Sequence, residues 1–365
     1  MFFRFSGNAA GKDTCIELCK EDCMRHFGKL VTVSLAAALF TVFACAAFAA
    51  EYEWKLAHEE PENGFMDIVA KQFGAIMAEK SGGKIELVIY PAGTLGNVED
   101  LVEQTQNNTV QFNIASSGTL STQFPQIQVL LLQYLFPNDM KKVQKVLEEG
   151  KFKAQLEPVF ESKKLVALGY VAEGWQVWTS KRPLASVKDF SNFKMRTTPS
   201  KLLVETYKAY GANPTPVEFS QVYSSLQLGT VDGQENPPYA IDDMKFYEVQ
   251  DYLTFGYTSP LILTLIGNAD TLSKLPPDIR AIVDEAAAQT VAYAFDCEEE
   301  MNRKALENMK QRKNSLNIVY LTDGQIAQFR PLARKQDAIY TEELGGKGAA
   351  ELLKTLLEDI DAASR

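Results

Sequence analysis

An α/β fold with largely parallel sheets, drawn out into two lobes by one long helix, is what this 365-residue sequence predicts. Three observations lead there. From Glu51 onward, short β-rich runs alternate with segments of helical period. From Asp278 to about Ser315 the chain runs without Gly or Pro, and Ile279, Val283, Ala286, Ala294, Cys297, Met301 and Ala305 recur near a helical period. At ~1.5 Å per residue that helix reaches ~50 Å, beyond the ~30 Å of a small domain, so it is expected to lie across two lobes. Its heptads are not sustained with charged flanking positions, which argues against an isolated coiled-coil arm. Finally, 46% hydrophobic and 23% charged residues describe an ordinary globular chain.

The elements follow in order. Met24-Arg-His-Phe-Gly-Lys29 is a short basic region, and Leu30 to Phe43 is an apolar run too short to span a bilayer comfortably. With Ala47-Phe-Ala49 as a small-x-small cleavage site, residues 1–49 are expected to be a signal peptide whose true start is Met24. The mature chain then begins at Ala50 or Glu51. Cys45 makes a poor lipoprotein cysteine after Phe43-Ala44. Cys15, Cys19, Cys23 and Cys45 all fall in this region, so Cys297 alone remains, with no intramolecular disulfide and a buried apolar role.

Glu51 to Ala57 reads as the first strand, Phe65 to Ser81 as a helix stopped at Gly82-Gly83, and Lys84 to Tyr90 as a strand. Val98 to Asn107 is a helix, Val110 to Ala115 a strand, and Ser116-Ser-Gly-Thr119 a polar turn. Asp139 to Phe160 reads as one helix, Leu165 to Val171 and Gln176 to Ser180 as separate strands. Phe193 to Thr197 is a strand and Ser200 to Tyr210 a helix ended by Gly211. Ser220 is a natural N-cap for Gln221 to Leu228. Asn317 to Leu321 is the last strand, followed by a helical tail.

The chemistry that is missing narrows the function. Past residue 49, His58 is the only histidine and Cys297 the only cysteine, which excludes a Cys/His metal cluster. No P-loop, Gly-x-Gly-x-x-Gly or Gly-x-Ser-x-Gly signature is present. Adjacent acids such as Glu59-Glu60 and Asp242-Asp243 read as solvated surface. No catalytic set, metal or cofactor is expected. A formal net charge of −10 disfavours a nucleic-acid partner.

Binding residues remain. Arg196 sits at the carboxyl end of its strand, where α/β folds place ligands and where a guanidinium can grip a carboxylate or sulfonate through two parallel bonds. The position also fits a plain surface arginine. Asn236 is a neutral amide held by the prolines after it, or simply a turn former. Phe219 is a pocket or core residue. Of Trp175 and Trp178, flanking Gln176, one is expected in the core, and Trp175 is favoured for the pocket.

Taken together these segments resemble the solute-binding proteins of TRAP transporters, the DctP-type family. The resemblance is carried by Pro91-Ala-Gly-Thr-Leu-Gly96, Ser180-Lys-Arg-Pro183, Phe193-Lys-Met-Arg196, Gly211-Ala-Asn-Pro-Thr-Pro216, Phe219-Ser-Gln-Val-Tyr223 and Val231-Asp-Gly-Gln-Glu-Asn-Pro237, in that order. It implies a periplasmic-binding-protein-like fold of two α/β lobes. Residues 50–173 with part of 262–301 would form the first, and 174–261 with part of 302–365 the second. It implies a periplasmic monomer that closes on a small organic anion and delivers it to TRAP permease membrane subunits without ATP. Arg196 stands where the family keeps its carboxylate-binding arginine, and Phe219 and Asn236 where it keeps pocket residues. Ser116 and Ser117 follow a strand that faces the ligand, and Glu59 lies where relatives place another polar contact.

One departure matters. Some members carry a second arginine where this chain has Gln176, beside Trp175. One charge fewer, a bulky indole and the acidic Glu59 argue against a sialic acid or a dicarboxylate. They favour a monoanion, carboxylate or sulfonate, with a hydroxyl or amino group that Glu59 accepts from. Rival readings are a ligand-sensing subunit of a signalling receptor and a periplasmic hydrolase or lyase.

Overall fold

The computed structural model describes residues 50–365. The signal peptide expected over residues 1–49, with its Met24 start and Cys45, lies outside the described residues.

The strands are β1 (Tyr52–His58), β2 (Ile85–Tyr90), β3 (Phe112–Ser116), β4 (Leu165–Ser180), β5 (Arg196–Thr197), β6 (Thr215–Pro216), β7 (Gly233–Asn236), β8 (Tyr252–Asn268) and β9 (Asn317–Tyr320). Seven of them form one sheet in the order β2-β1-β3-β8-β4-β7, with β9 added beside β8. The expectation of largely parallel strands is corrected here. β1 runs parallel to β2 and β3, but β8 is antiparallel to β3 and to β4, and β4 is antiparallel to β7. The reason lies in two long strands that the short-strand reading divided or passed over. β4 is continuous through Ala172–Trp175, and β8, with its apolar Leu261-Ile-Leu-Thr-Leu-Ile266, received no assignment.

These two strands generate the two lobes. The C-terminal half of β8 lies between β4 and β3, in register Phe112↔Gly267 to Ser116↔Leu263. Its N-terminal half lies between β4 and β9, in register Tyr252↔Asn317 to Phe255↔Tyr320. The C-terminal half of β4 likewise takes on β7. Between the halves the β4–β8 ladder shifts register at Ala172/Trp175 and Trp175/Val177. Gly174 sits in that break at φ +129°, and Tyr257 on β8 at φ 48°. Bulges of this kind bend a strand and add twist, so one sheet is folded into two.

The long helix is present as Pro277–Arg312, 36 residues, about 54 Å at ~1.5 Å per residue. Pro at its first turn suits a start, where the N–H would be unpaired anyway. It buries Ile279, Val283, Ala286, Ala287 and Val291 early and Ala305 and Met309 late. It packs against the helix Phe65–Lys80, against β4, and against the helix Pro238–Asp243. Cys297 is half-buried rather than buried, its sulfur 3.4 Å from the Ala294 carbonyl oxygen.

Local chemistry explains most boundaries. Ser200 caps the helix Lys201–Ala209 by accepting the Leu203 N–H. Ser220 does not cap the next helix: it lies inside a 3-10 turn, Phe219–Gln221, and Val222–Gln227 has no side-chain cap. Residues 139–160 form two helices, Met140–Glu149 and Phe152–Glu161, because the chain turns extended at Gly150. Only Arg196–Thr197 of the expected 193–197 strand is regular, paired with β6. A second core stacks Trp178, Phe190, Phe193, Tyr207, Tyr210 and Phe329. No helix of the described residues is long and apolar enough to cross a membrane.

Candidate ligand-binding site

Arg196 lies on β5 with 1% of its surface exposed, which removes the plain-surface alternative. Its Nε donates to the Val217 carbonyl at 2.8 Å, while Nη1 is buried without a partner. Among the described residues no carboxylate comes within ion-pair distance of it. Burial lowers its pKa to about 10, against the pull of Glu235 and Glu59. A guanidinium buried without a paired anion is costly.

Glu235 and Glu59 are the acids that act on its charge, and Glu60 and Glu173 lie beyond Glu59. Glu59, just past β1, is 9% exposed. Its Oε1 accepts the Ser116 N–H and its Oε2 the Thr119 hydroxyl, both at 3.1 Å. Burial nevertheless raises its pKa to about 8, against those bonds. Glu60 is also buried, so the solvated-surface reading of the Glu59-Glu60 pair is corrected. It accepts the Met66 N–H at 2.8 Å and the Tyr239 hydroxyl. Glu173, in the β4 register break, is fully buried with neither carboxyl oxygen hydrogen-bonded. Burial and the neighbouring Glu60 push its pKa well up. On β7, burial raises Glu235 to about 7, opposed by a bond from the Tyr207 hydroxyl and by Arg196.

The other expected site residues are distributed as follows. Gln176 is buried and its Oε1 has no partner. Trp175 is half-buried with its ring edge-on to Tyr257 at 5.8 Å, whereas Trp178 is the core residue, its indole N–H donating to Tyr207 at 2.8 Å. Asn236 lies in a buried strand, not a turn, and donates to the Gln234 side chain. It pairs opposite Val177 while Glu235 pairs opposite Trp178, so these two neighbours face opposite sides of the sheet. Phe219 is half-buried and edge-on to Phe246 at 6.0 Å. Ser116 caps the short helix Ser117–Leu120 by accepting the Thr119 N–H. The Ser117 hydroxyl is turned into the sheet, donating to the Ile262 carbonyl at 2.9 Å.

Glu60, Glu173, Glu235 and Tyr239 were not anticipated in this role. A charged residue inside the apolar run Gly169-Tyr-Val-Ala-Glu-Gly174 was the available signal for Glu173. The two segments that carry the site also touch. Ser121 Oγ is 3.4 Å from the Pro199 carbonyl, and a Cβ on Gly118 would lie 2.6 Å from Thr198 Oγ1.

Arg196 Nη1 and Gln176 Oε1 are thus buried polar atoms without a partner in the protein. Residues 56–342 match the bacterial extracellular solute-binding proteins, family 7, and the chain belongs to that family. It is 32% identical over 335 residues to the ectoine-binding periplasmic protein of Halomonas elongata, spanning 92% of this chain and 97% of that one. It is 30% identical over 334 residues to the ectoine/5-hydroxyectoine-binding periplasmic protein of Ruegeria pomeroyi, spanning 91% and 98%. The solved structure of the Halomonas elongata ectoine-binding protein matches with a TM-score of 0.82 at 32% identity, over 85% of this chain and 99% of that one. The protein is a periplasmic solute-binding protein of a TRAP transporter, and its relatives are binding proteins rather than enzymes.

Proposed function

We propose that the solute is a small zwitterion, with a carboxylate or sulfonate on Arg196 and an N–H-bearing cationic end on the acids led by Glu59. The observation that carries this is the inventory of open groups. Arg196 Nη1 lacks an acceptor, while Gln176 Oε1 lacks a donor. One ligand with an acceptor at one end and donors at the other satisfies both of them. A dicarboxylate would hold the buried carboxyls of Glu59, Glu60, Glu173 and Glu235 in their protonated forms, whereas a cationic end lets Glu59 ionise. Ectoine, a cyclic amidinium carboxylate bound by the two relatives, has the required chemistry. The monoanion with an amino group expected from Gln176 and Glu59 is thereby narrowed to a ligand with its own cation. Trp175 and Phe219 supply apolar walls, and Asn236, Ser116 and Ser117 act on this reading through the strands and helix start that frame the cleft.

The same proposal covers the organisation of the chain. Residues 24–49 act as the export signal, 50–173 and 174–261 form the bodies of the two lobes, and a monomer delivers the solute to the permease subunits. The lobes close where Gly118 meets Thr198. Gly118→Val, which puts branched carbons into that contact, is expected to prop the cleft open. In solution scattering the variant should stay expanded at saturating ectoine where the parent protein compacts. Equal compaction of both would remove Gly118 from the closing surface.

The test of the ligand class uses protons. With Glu59 at about 8 in the free protein, its carboxyl is mostly protonated at pH 7. A bound cation favours the carboxylate and lowers that pKa, so binding releases protons and affinity rises with pH from 6 towards 8, by up to about tenfold per pH unit. Calorimetry of ectoine in buffers of different ionisation enthalpy should show that release. A pH-independent affinity with no buffer dependence would count against a cationic end at Glu59.

A further inference from the structure

The acidic end of the cleft rests on one histidine. His58 closes β1, is fully buried, and is the only histidine among the described residues. Its Nδ1 lies 3.4 Å from the Glu60 backbone nitrogen, and its Nε2 lies 3.3 Å from Asp67 Oδ1. A backbone N–H can only donate, so Nδ1 must be the bare nitrogen and the ring's single proton must sit on Nε2, facing the Asp67 carboxylate. Asp67 is held in turn by the Asn63 N–H at 2.7 Å and the Lys71 ammonium at 2.6 Å. Burial raises the Asp67 pKa, but Lys71 and the Asn63 N–H outweigh it and keep it below the ordinary value. Glu60 completes the ring by accepting the Met66 N–H.

We propose that His58 is a positioning residue: as a neutral imidazole protonated on Nε2, it holds the Glu59–Glu60 turn in the geometry that meets the ligand's cationic end. This rests on the zwitterion reading for the ligand but not for the histidine. A doubly protonated ring would set an Nδ1–H against the Glu60 N–H, two donors face to face, and would release the turn. Burial, assisted by Lys71 and opposed by Asp67, lowers the His58 pKa in the direction that keeps the ring neutral.

Two substitutions separate the two ring nitrogens. His58→Asn keeps an acceptor near Nδ1 for the Glu60 N–H and gives up Asp67. His58→Gln reaches towards Asp67 and leaves the Glu60 N–H unpaired. In the full chain, nitrogen NMR of labelled histidine, with His58→Asn identifying the signal, should show the neutral Nε2–H tautomer between pH 6 and 8. Amide exchange at Glu60 should stay slow in His58→Asn and become fast in His58→Gln. Calorimetry with ectoine should place His58→Asn within about threefold of the parent and His58→Gln weaker by about tenfold or more, whichever variant melts lower. A merely structural role would instead order affinity by melting temperature.

An Nδ1–H or imidazolium form at pH 7, or His58→Gln retaining both Glu60 protection and affinity, would overturn the assignment. If the parent protein binds no ectoine, the zwitterion reading falls by itself. The tautomer and the Glu60 exchange, both read on the free protein, still decide the role of His58.

Discussion

Replacing Arg196 with alanine lowers the affinity for ectoine, or any carboxylate that fills the cleft, by about 30-fold to several thousand-fold, equivalent to ~2–5 kcal/mol. Two facts set the size. The guanidinium is 1% exposed, so water does not compete for it, and its Nη1 has no partner within the protein. The same facts give a second expectation of opposite sign. The free protein carries the cost of that unpaired buried charge, so Arg196→Ala should leave its melting temperature unchanged or higher. Arg196→Lys keeps the charge but loses the fork and the bond to Val217, and is expected to bind between the two. Calorimetry and thermal unfolding on the same samples separate a lost anchor from a damaged fold. Near-native affinity in Arg196→Ala would sink the assignment.

Gly174→Ala is expected to cost stability on the order of 3–6 kcal/mol. Gly174 is at φ +129°, where an L-residue is strained by about 1–3 kcal/mol. Its added Cβ would stand 2.6 Å from Asn302 Nδ2 and 2.9 Å from Glu298 Oε1. Asn302 cannot withdraw freely. Its Nδ2 donates to the Glu173 carbonyl at 2.8 Å and its Oδ1 accepts the Tyr239 N–H at 3.1 Å, so the long helix is tied through it to β4 and to the helix Pro238–Asp243. Leaving those buried groups unpaired adds about 1–3 kcal/mol each. Thermal unfolding should show a fall on the order of 10 °C. A loss below about 1 kcal/mol would show that the break in β4 is softer than its contacts imply.

What could be read from the chain followed the strength of its local signals. The long helix was legible because 36 residues without an interruption overdetermine the period. β1, β2 and β3 were legible because each is short and bounded by turn residues. β7 was not: Gly233-Gln-Glu-Asn236 is polar throughout yet buried, and hydrophobic alternation cannot report a strand that faces polar groups. The sheet's mixed direction was hidden for a related reason, since pairing across the chain leaves no local mark. Its position put Arg196 at the carboxyl end of a strand; in the structure it opens the two-residue β5, and its lack of a partner is visible only in three dimensions. The acids divide the same way. Glu59 was reached only through the family resemblance, the Glu59-Glu60 pair itself reading as solvated surface, and Glu60 and Glu173 become a group only once β1 and the break in β4 come together.

The two long strands also govern how the chain must be made. β3 has β1 on one side but finds its other neighbour only in β8, Phe112 against Gly267, roughly 150 residues further on, and β8's other half waits for β9. No stretch that emerges early can complete its own sheet, and contacts of such separation form slowly. A newly synthesised chain therefore stays open well past the appearance of its first strands. The sheet is complete only when Asn317–Tyr320, near the end of the chain, has joined strands made roughly 200 residues earlier.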